Sequence, residues 1–177
     1  MGRNDQAQER IGIGELALGT PEPLLLLQKV TMEKSEESFA QAGARHLHDA
    51  KILLSEERWD NAVYLAGYVA ECAFKVLVKI YIDRDSSAAK KYGHDLKNLE
   101  GKAMERLRII YPVLNGQFPG SRTSGTVLAR WNPEQRYAKS GLWSESEADA
   151  AVERATEIYS EIVTKLILDG RIYSREL

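Results

Sequence analysis

Cysteine, histidine and net charge are all scarce in this chain, and each shortage removes a class of function. Of 177 residues only Cys72 is a cysteine, which excludes an internal disulfide framework and a thiolate metal cluster. A lone thiol fits a reducing cytosol, and its apolar neighbours predict a small core residue. The histidines are His46, His48 and His94. His46 and His48 stand two apart, on different faces of a helix, so they make a poor chelate and no metal or other cofactor is expected. A net charge of −2 and a pI near 6.0 give no global basic footprint of a dedicated nucleic-acid binder. A local basic surface stays open.

Long hydrophobic runs and signature motifs are missing too. No segment reaches the ~18 apolar residues that a membrane span requires. The opening MGRNDQAQER is polar, with no secretory h-region, and PLLLLQKV at 23–30 is too short and too far in for a signal peptide. A cytoplasmic protein that does not engage a membrane is therefore expected. There is no GxGxxG, P-loop, GxSxG or HExxH in the chain, so dinucleotide, P-loop, α/β-hydrolase and zincin chemistries lack their usual marks.

What the chain does have is helix. With 44% hydrophobic and 28% charged residues it can build an ordinary core, and its length favours one compact domain with an appendage. Residues 1–34, with four glycines before position 20, read as a flexible N-terminal extension carrying a short apolar segment; 35–177 read as the body. Apolar residues at three- and four-residue steps predict a first helix over 36–55, with Ser35 as its N-cap and Gly43 open to close approach by a neighbour. A second helix is expected over 61–82, capped by Asp60 and apolar over so wide an arc that it suits the centre of a bundle. Residues 83–95 read as a polar break, 96–110 as a third helix, and Tyr111-Pro112 as its end. The segment 111–143 holds three of the five prolines and four glycines; short helices are expected near 126–131 or after Asn132-Pro133. Ser144 and Glu147 form a capping-box pattern for a last helix that ends at Asp169-Gly170. The expected fold is all-α: an antiparallel up-and-down four-helix bundle with a long irregular loop before the last helix.

Three features could carry chemistry. Tyr64, Tyr68, Glu71 and Lys75 stack turn by turn within about 60° of one another on the second helix. Periodicity favours a solvated stripe; the alternative is a groove where phenols meet a planar ligand and Glu71 and Lys75 set its polar contacts. In YGHDL at 92–96, Gly93 reads as a turn and His94 or Asp95 as the cap of the third helix, against an imidazole placed at a helix start for anion binding. Arg122, Arg130, Trp131, Arg136 and Tyr137 mix arginine with aromatics, which suits phosphate and base contacts, a protein interface or plain loop anchoring.

Taken together, HLHDAKILLSEERWDNAVYLAGYVAECAFKVLV at 46–78, GHDL at 93–96 and RWNPEQRY at 130–137 resemble the HEPN domain family (higher eukaryotes and prokaryotes nucleotide-binding). The resemblance spans about 35–170. It implies a small up-and-down helical bundle, commonly dimeric, often paired with a minimal nucleotidyltransferase in a two-component system of toxin–antitoxin type. Many active members are metal-independent ribonucleases that use an arginine followed four to six residues later by a histidine. Arg136 has that arginine's position, but YAKSGLWSE follows it, without a histidine. Losing the general acid/base is typically worth 10²–10⁴-fold. The resemblance thus implies a non-catalytic binding module for a nucleotide, RNA or a nucleotidyltransferase partner, with Tyr64, Tyr68, Glu71, Lys75, His94, Asp95, Arg130, Arg136 and Tyr137 as its candidate contacts. The alternatives are a ribonuclease with altered catalytic residues, and a purely structural interaction domain.

Overall fold

The computed structural model describes residues 38–82, 86–114 and 123–173. They form five α-helices and, among the described residues, no strand. Helix α1 is Phe39–Ser55, α2 is Trp59–Leu77, α3 is Ser86–Lys91, α4 is Leu96–Ile110 and α5 is Glu145–Leu168. The expected Ser35 cap and the extension before it lie outside the described residues. Ser38 caps α1 instead, its side chain accepting from the Gln41 backbone N–H at 3.2 Å.

The central helix of the sequence reading is α2, which packs against α1, α4 and α5. Thirteen of its 19 residues are buried, among them Val63, Val69, Phe74 and Leu77. Past Leu77 it widens into a π-helical stretch at Val78–Ile82, so the 61–82 reading merges two helix types. Its start also differs from expectation. Arg58 is the N-cap position, without a side-chain bond, and Asp60 sits inside the first turn. The Asp60 carboxylate is free there to accept from the backbone N–H groups of Gly141 at 2.7 Å and Trp143 at 2.9 Å. The residue expected to cap a helix pins the distant loop instead.

Gly43 does allow close approach: a Cβ there would lie 2.7 Å from the Tyr159 ring of α5. Tyr159 also donates its hydroxyl to the Ala40 carbonyl at 2.9 Å. The stretch read as a polar break contains the short helix α3; six residues of Ser, Ala and Lys carry too little apolar period to show it. Asp95 caps α4 by accepting from Asn98 at 2.9 Å. The capping box of α5 is formed, with Ser144 and Glu147 bonding reciprocally, and Gly170 (φ 66°) closes that helix.

Most of the irregular segment before α5 is described, and it is held by side chains. Glu100, buried on α4, accepts from both the backbone and the hydroxyl of Thr123. Short 3₁₀ turns follow at Val127–Arg130 and Pro133–Tyr137, at both places the sequence suggested. Buried Leu128, Trp131 and Trp143 anchor them in the core.

Candidate functional site

The polar stripe on α2 divides into an inner and an outer half. Glu71 and Lys75, one turn apart, are 3% and 6% exposed, so the solvated-stripe expectation fails at both. Lys75 Nζ lies 2.7 Å from Glu71 Oε1. His94 completes the set: its Nδ1 lies 3.1 and 3.0 Å from the two Glu71 oxygens. The local reason is the cap. Because Asp95 holds the first turn of α4, His94 falls just before the helix and its ring turns onto α2. A ring nitrogen facing a carboxylate at this distance donates to it. The buried carboxylate is thereby matched by an ammonium and an imidazole, the arrangement that a charge in low dielectric requires.

Tyr68, half-buried, is the hub between the halves. Its ring lies 5.8 Å from that of His46, 5.1 Å from Tyr64, 6.0 Å from His94 and 5.0 Å from Trp131. Its hydroxyl is 3.2 Å from that of Tyr64. Burial, and then the bond with Tyr64, push the Tyr68 phenol above its ordinary value. Burial likewise lowers His46, aided by the Arg45 charge, and holds the Cys72 thiol up at about 12. Trp131 fits over Gly67, where a Cβ would stand 2.2 Å from indole atoms. The indole N–H donates to the Tyr64 carbonyl at 3.0 Å. This pairing of a loop tryptophan with a helix glycine was not visible in the sequence; a glycine inside so apolar a helix is the only local signal of it.

At the outer end, Arg136 lies beside Tyr64 in one cleft wall, and the neighbouring phenols, Tyr64 first and then Tyr137, raise its pKa. Its guanidinium also stacks 4.7 Å from the Tyr137 ring centroid. Beside them opens a cleft of about 460 Å³, lined among others by Arg58, Trp59, Tyr64, Arg136, Lys139 and Leu142. Both Asp60 oxygens at its wall accept from the backbone of Gly141 and Trp143, and the charged lining sets Arg58, Arg136 and Lys139 against Glu57 and Asp60. Cations beside an indole and a phenol suit an anion attached to a planar group.

Of the nine predicted contacts, Tyr64 and Arg136 line this cleft. Tyr68 packs behind Tyr64 and the exposed Tyr137 stacks against Arg136; Glu71 and Lys75 are buried, His94 reaches Glu71 from the surface with half its side chain exposed, and Asp95 serves α4. Arg130 lies elsewhere, bonded to Glu147 at 2.6 Å and stacked 4.7 Å over Trp143. Arg122 is outside the described residues. Arg58, Trp59 and Lys139 escaped the sequence reading: Arg58 and Trp59 open the helix that carries Tyr64 but fall off the stripe singled out on it, and only the fold of the loop brings Lys139 to them. No cluster of metal-ligating side chains occurs among the described residues, and no described helix is long and apolar enough to cross a membrane. No family model, curated protein or solved structure matches the chain.

Proposed function

We propose that this chain is a HEPN-like binding module, an antiparallel up-and-down four-helix bundle with α3 as an accessory turn. In this reading it acts in the cytoplasm as a homodimer within a two-component system of toxin–antitoxin type. The cleft beside Tyr64 and Arg136 takes a nucleotide or an RNA segment, and a nucleotidyltransferase-type protein is its partner. Binding, not bond cleavage, is the task. One spatial convergence supports the reading: the three segments that carry the resemblance meet on one face of α2. His94 of GHDL bonds Glu71, Arg136 of the loop lies beside Tyr64, and the resulting cleft offers three cations against two carboxylates, with three aromatic rings.

Titration of the protein with nucleotides and short RNAs tests this. Saturable binding is expected, weakening as salt rises because phosphate contacts release counterions. Arg136→Ala should weaken it about tenfold or more, the scale of one charge-assisted contact. Absence of saturable binding by any nucleotide or RNA, together with no protein partner on pull-down, refutes the proposal.

One observation favours the ribonuclease alternative. Glu71 orients the His94 imidazole in the way a carboxylate orients a general base, and the Tyr68 and Tyr64 rings run from His94 to the cleft that Arg136 lines. Cleavage of labelled RNA that is lost in both His94→Ala and Arg136→Ala would establish it. Equal background in wild type and variants excludes it.

A further inference from the structure

Ion pairing is uneven over the surface of this chain. Lys75, Arg130, Arg154 and Lys165 each lie against a carboxylate. On α4, Lys97, Lys102, Arg106 and Arg108 are exposed, and none of them has such a partner among the described residues. Glu105 is the one exposed acid on that helix. Lys102 and Arg106 stand four residues apart, so two like charges are neighbours on one face, an arrangement that weakens a helix in isolation.

The same face ends in open hydrocarbon. Leu99, Ala103 and Leu107 take the opposite side of α4 into the core, while Ile109 is 72% exposed and Ile110 43%. Lys102, Arg106 and Ile110 follow one another at four-residue steps, a row of about 12 Å that runs from charge to hydrocarbon. A groove of about 510 Å³ lies between this row and Tyr92, with Glu105 and Ile109 also in its lining.

One partner chemistry meets both ends of the row. Carboxylates would neutralise two adjacent cations that no acid of α4 reaches, and an aliphatic or aromatic side chain would take Ile109 and Ile110 out of water. A nucleic-acid backbone would answer the cations and leave the isoleucines bare. Exposed ion pairs contribute little alone, so the apolar end supplies adhesion and the charges set register and orientation.

We propose that the α4 groove is the docking site for an acidic segment of a different protein. Carboxylates of that segment meet Lys102 and Arg106, and an apolar residue beside them packs on Ile109 and Ile110. The contact uses neither Tyr64 nor Arg136, so it can fail while ligand binding at the cleft stands, and the reverse.

Short random peptides displayed on phage and selected on the immobilised full chain supply the probe. Enriched peptides should carry Asp or Glu beside Leu, Ile or an aromatic residue, and a synthetic copy should bind in solution less tightly as salt rises. Its affinity should fall at least about tenfold for Lys102→Glu with Arg106→Glu, and as much for Ile109→Asp. All three sites are exposed, and unchanged circular dichroism and melting confirm folded variants. Replacing the peptide's acids by lysine should restore binding to the double variant, which lost folding could not do. Arg136→Ala should bind the peptide as wild type does. No acidic and apolar enrichment, or enriched peptides indifferent to the α4 changes, overturns the proposal. So does binding of short RNAs, of phosphatidylserine vesicles or of a second copy of the chain that depends on Lys102 and Arg106, since α4 would then serve a different occupant.

Discussion

Two glycines in helix interiors should respond in opposite directions to the same change. Gly67 on α2 and Gly101 on α4 both gain about 0.8–1 kcal/mol of helix propensity when replaced by alanine. At Gly101 nothing lies within 4 Å of the added methyl, so Gly101→Ala should stabilise by that amount. At Gly67 the methyl would stand 2.2 Å from three atoms of the Trp131 indole. These atoms belong to a rigid ring whose N–H is tied to the Tyr64 carbonyl, so the contact cannot be relieved by turning a flexible tip. Overpacking alone costs roughly 1–3 kcal/mol. If the indole leaves, the loss approaches the ~3–5 kcal/mol of a large aromatic truncation. After the propensity gain, Gly67→Ala should destabilise by about 2–4 kcal/mol.

Urea unfolding of both variants reads this directly, through the midpoint at constant slope. Trp131→Ala gives the decisive comparison. If the whole cost at Gly67 comes from the indole, Gly67→Ala placed in the Trp131→Ala background should stabilise by the propensity gain of about 0.8–1 kcal/mol, a coupling larger than the single effect by that amount. A Gly67→Ala protein as stable as wild type, or a cost that persists without the indole, would refute the packing argument.

Three more outcomes follow from the inner site and the helix ends. Glu71→Ala should destabilise by about 3–5 kcal/mol because it leaves Lys75 buried without its partner, whereas the combined Glu71→Leu and Lys75→Met change should come close to neutral; chemical denaturation of both separates them. Glu57 has a φ of 57° at the end of α1, with Glu57 and Arg58 donating back to Leu54 and Leu53. A non-glycine residue in that left-handed position costs roughly 1–2 kcal/mol, so Glu57→Gly should raise stability by about 1 kcal/mol in the same assay. Glu147 is held at about 2, first by Arg130 and then by the Ser144 backbone N–H, below its ordinary 4.5. A depressed carboxylate stabilises fully above the ordinary value and loses that contribution as pH falls towards 2. Acid unfolding of Glu147→Gln should therefore lack that part of the pH dependence, visible as a flatter stability curve between pH 4.5 and 2.

Helices were legible wherever an apolar period ran for several turns, and least where local composition was short or ambiguous. The boundaries of α4 and the capping box of α5 match the sequence reading because proline, serine and glutamate fix them locally. The six-residue α3 had too few turns to register a period. Asp60 was misread for a different reason: a carboxylate near a helix start is a good cap in general, and only the return of the loop supplies the Gly141 and Trp143 donors that claim it. The same limit applies to the site. Tyr64, Tyr68, Glu71 and Lys75 share a helix face by arithmetic, but their burial depends on His94 and Trp131, which arrive from 23 and 67 residues away.

That difference in burial gives the stripe its meaning. Over the eleven steps from Tyr64 to Lys75, about 16 Å of helix, one polar row passes from a cleft wall into the core. Glu71 and Lys75 are too enclosed to meet a ligand without opening the packing around them, so their replacement should act on stability. Tyr64 lines the cleft beside Arg136, so its replacement by phenylalanine should act on binding at the proposed cleft while leaving the core intact. Tyr68 touches both sides and couples them: its ring is packed with His94 and Trp131, and its hydroxyl meets that of Tyr64. A row that looks uniform on a helical wheel is thus two functions joined at one tyrosine. The inner half fixes the angle at which α4 and the loop meet α2, and the outer half offers what that angle creates.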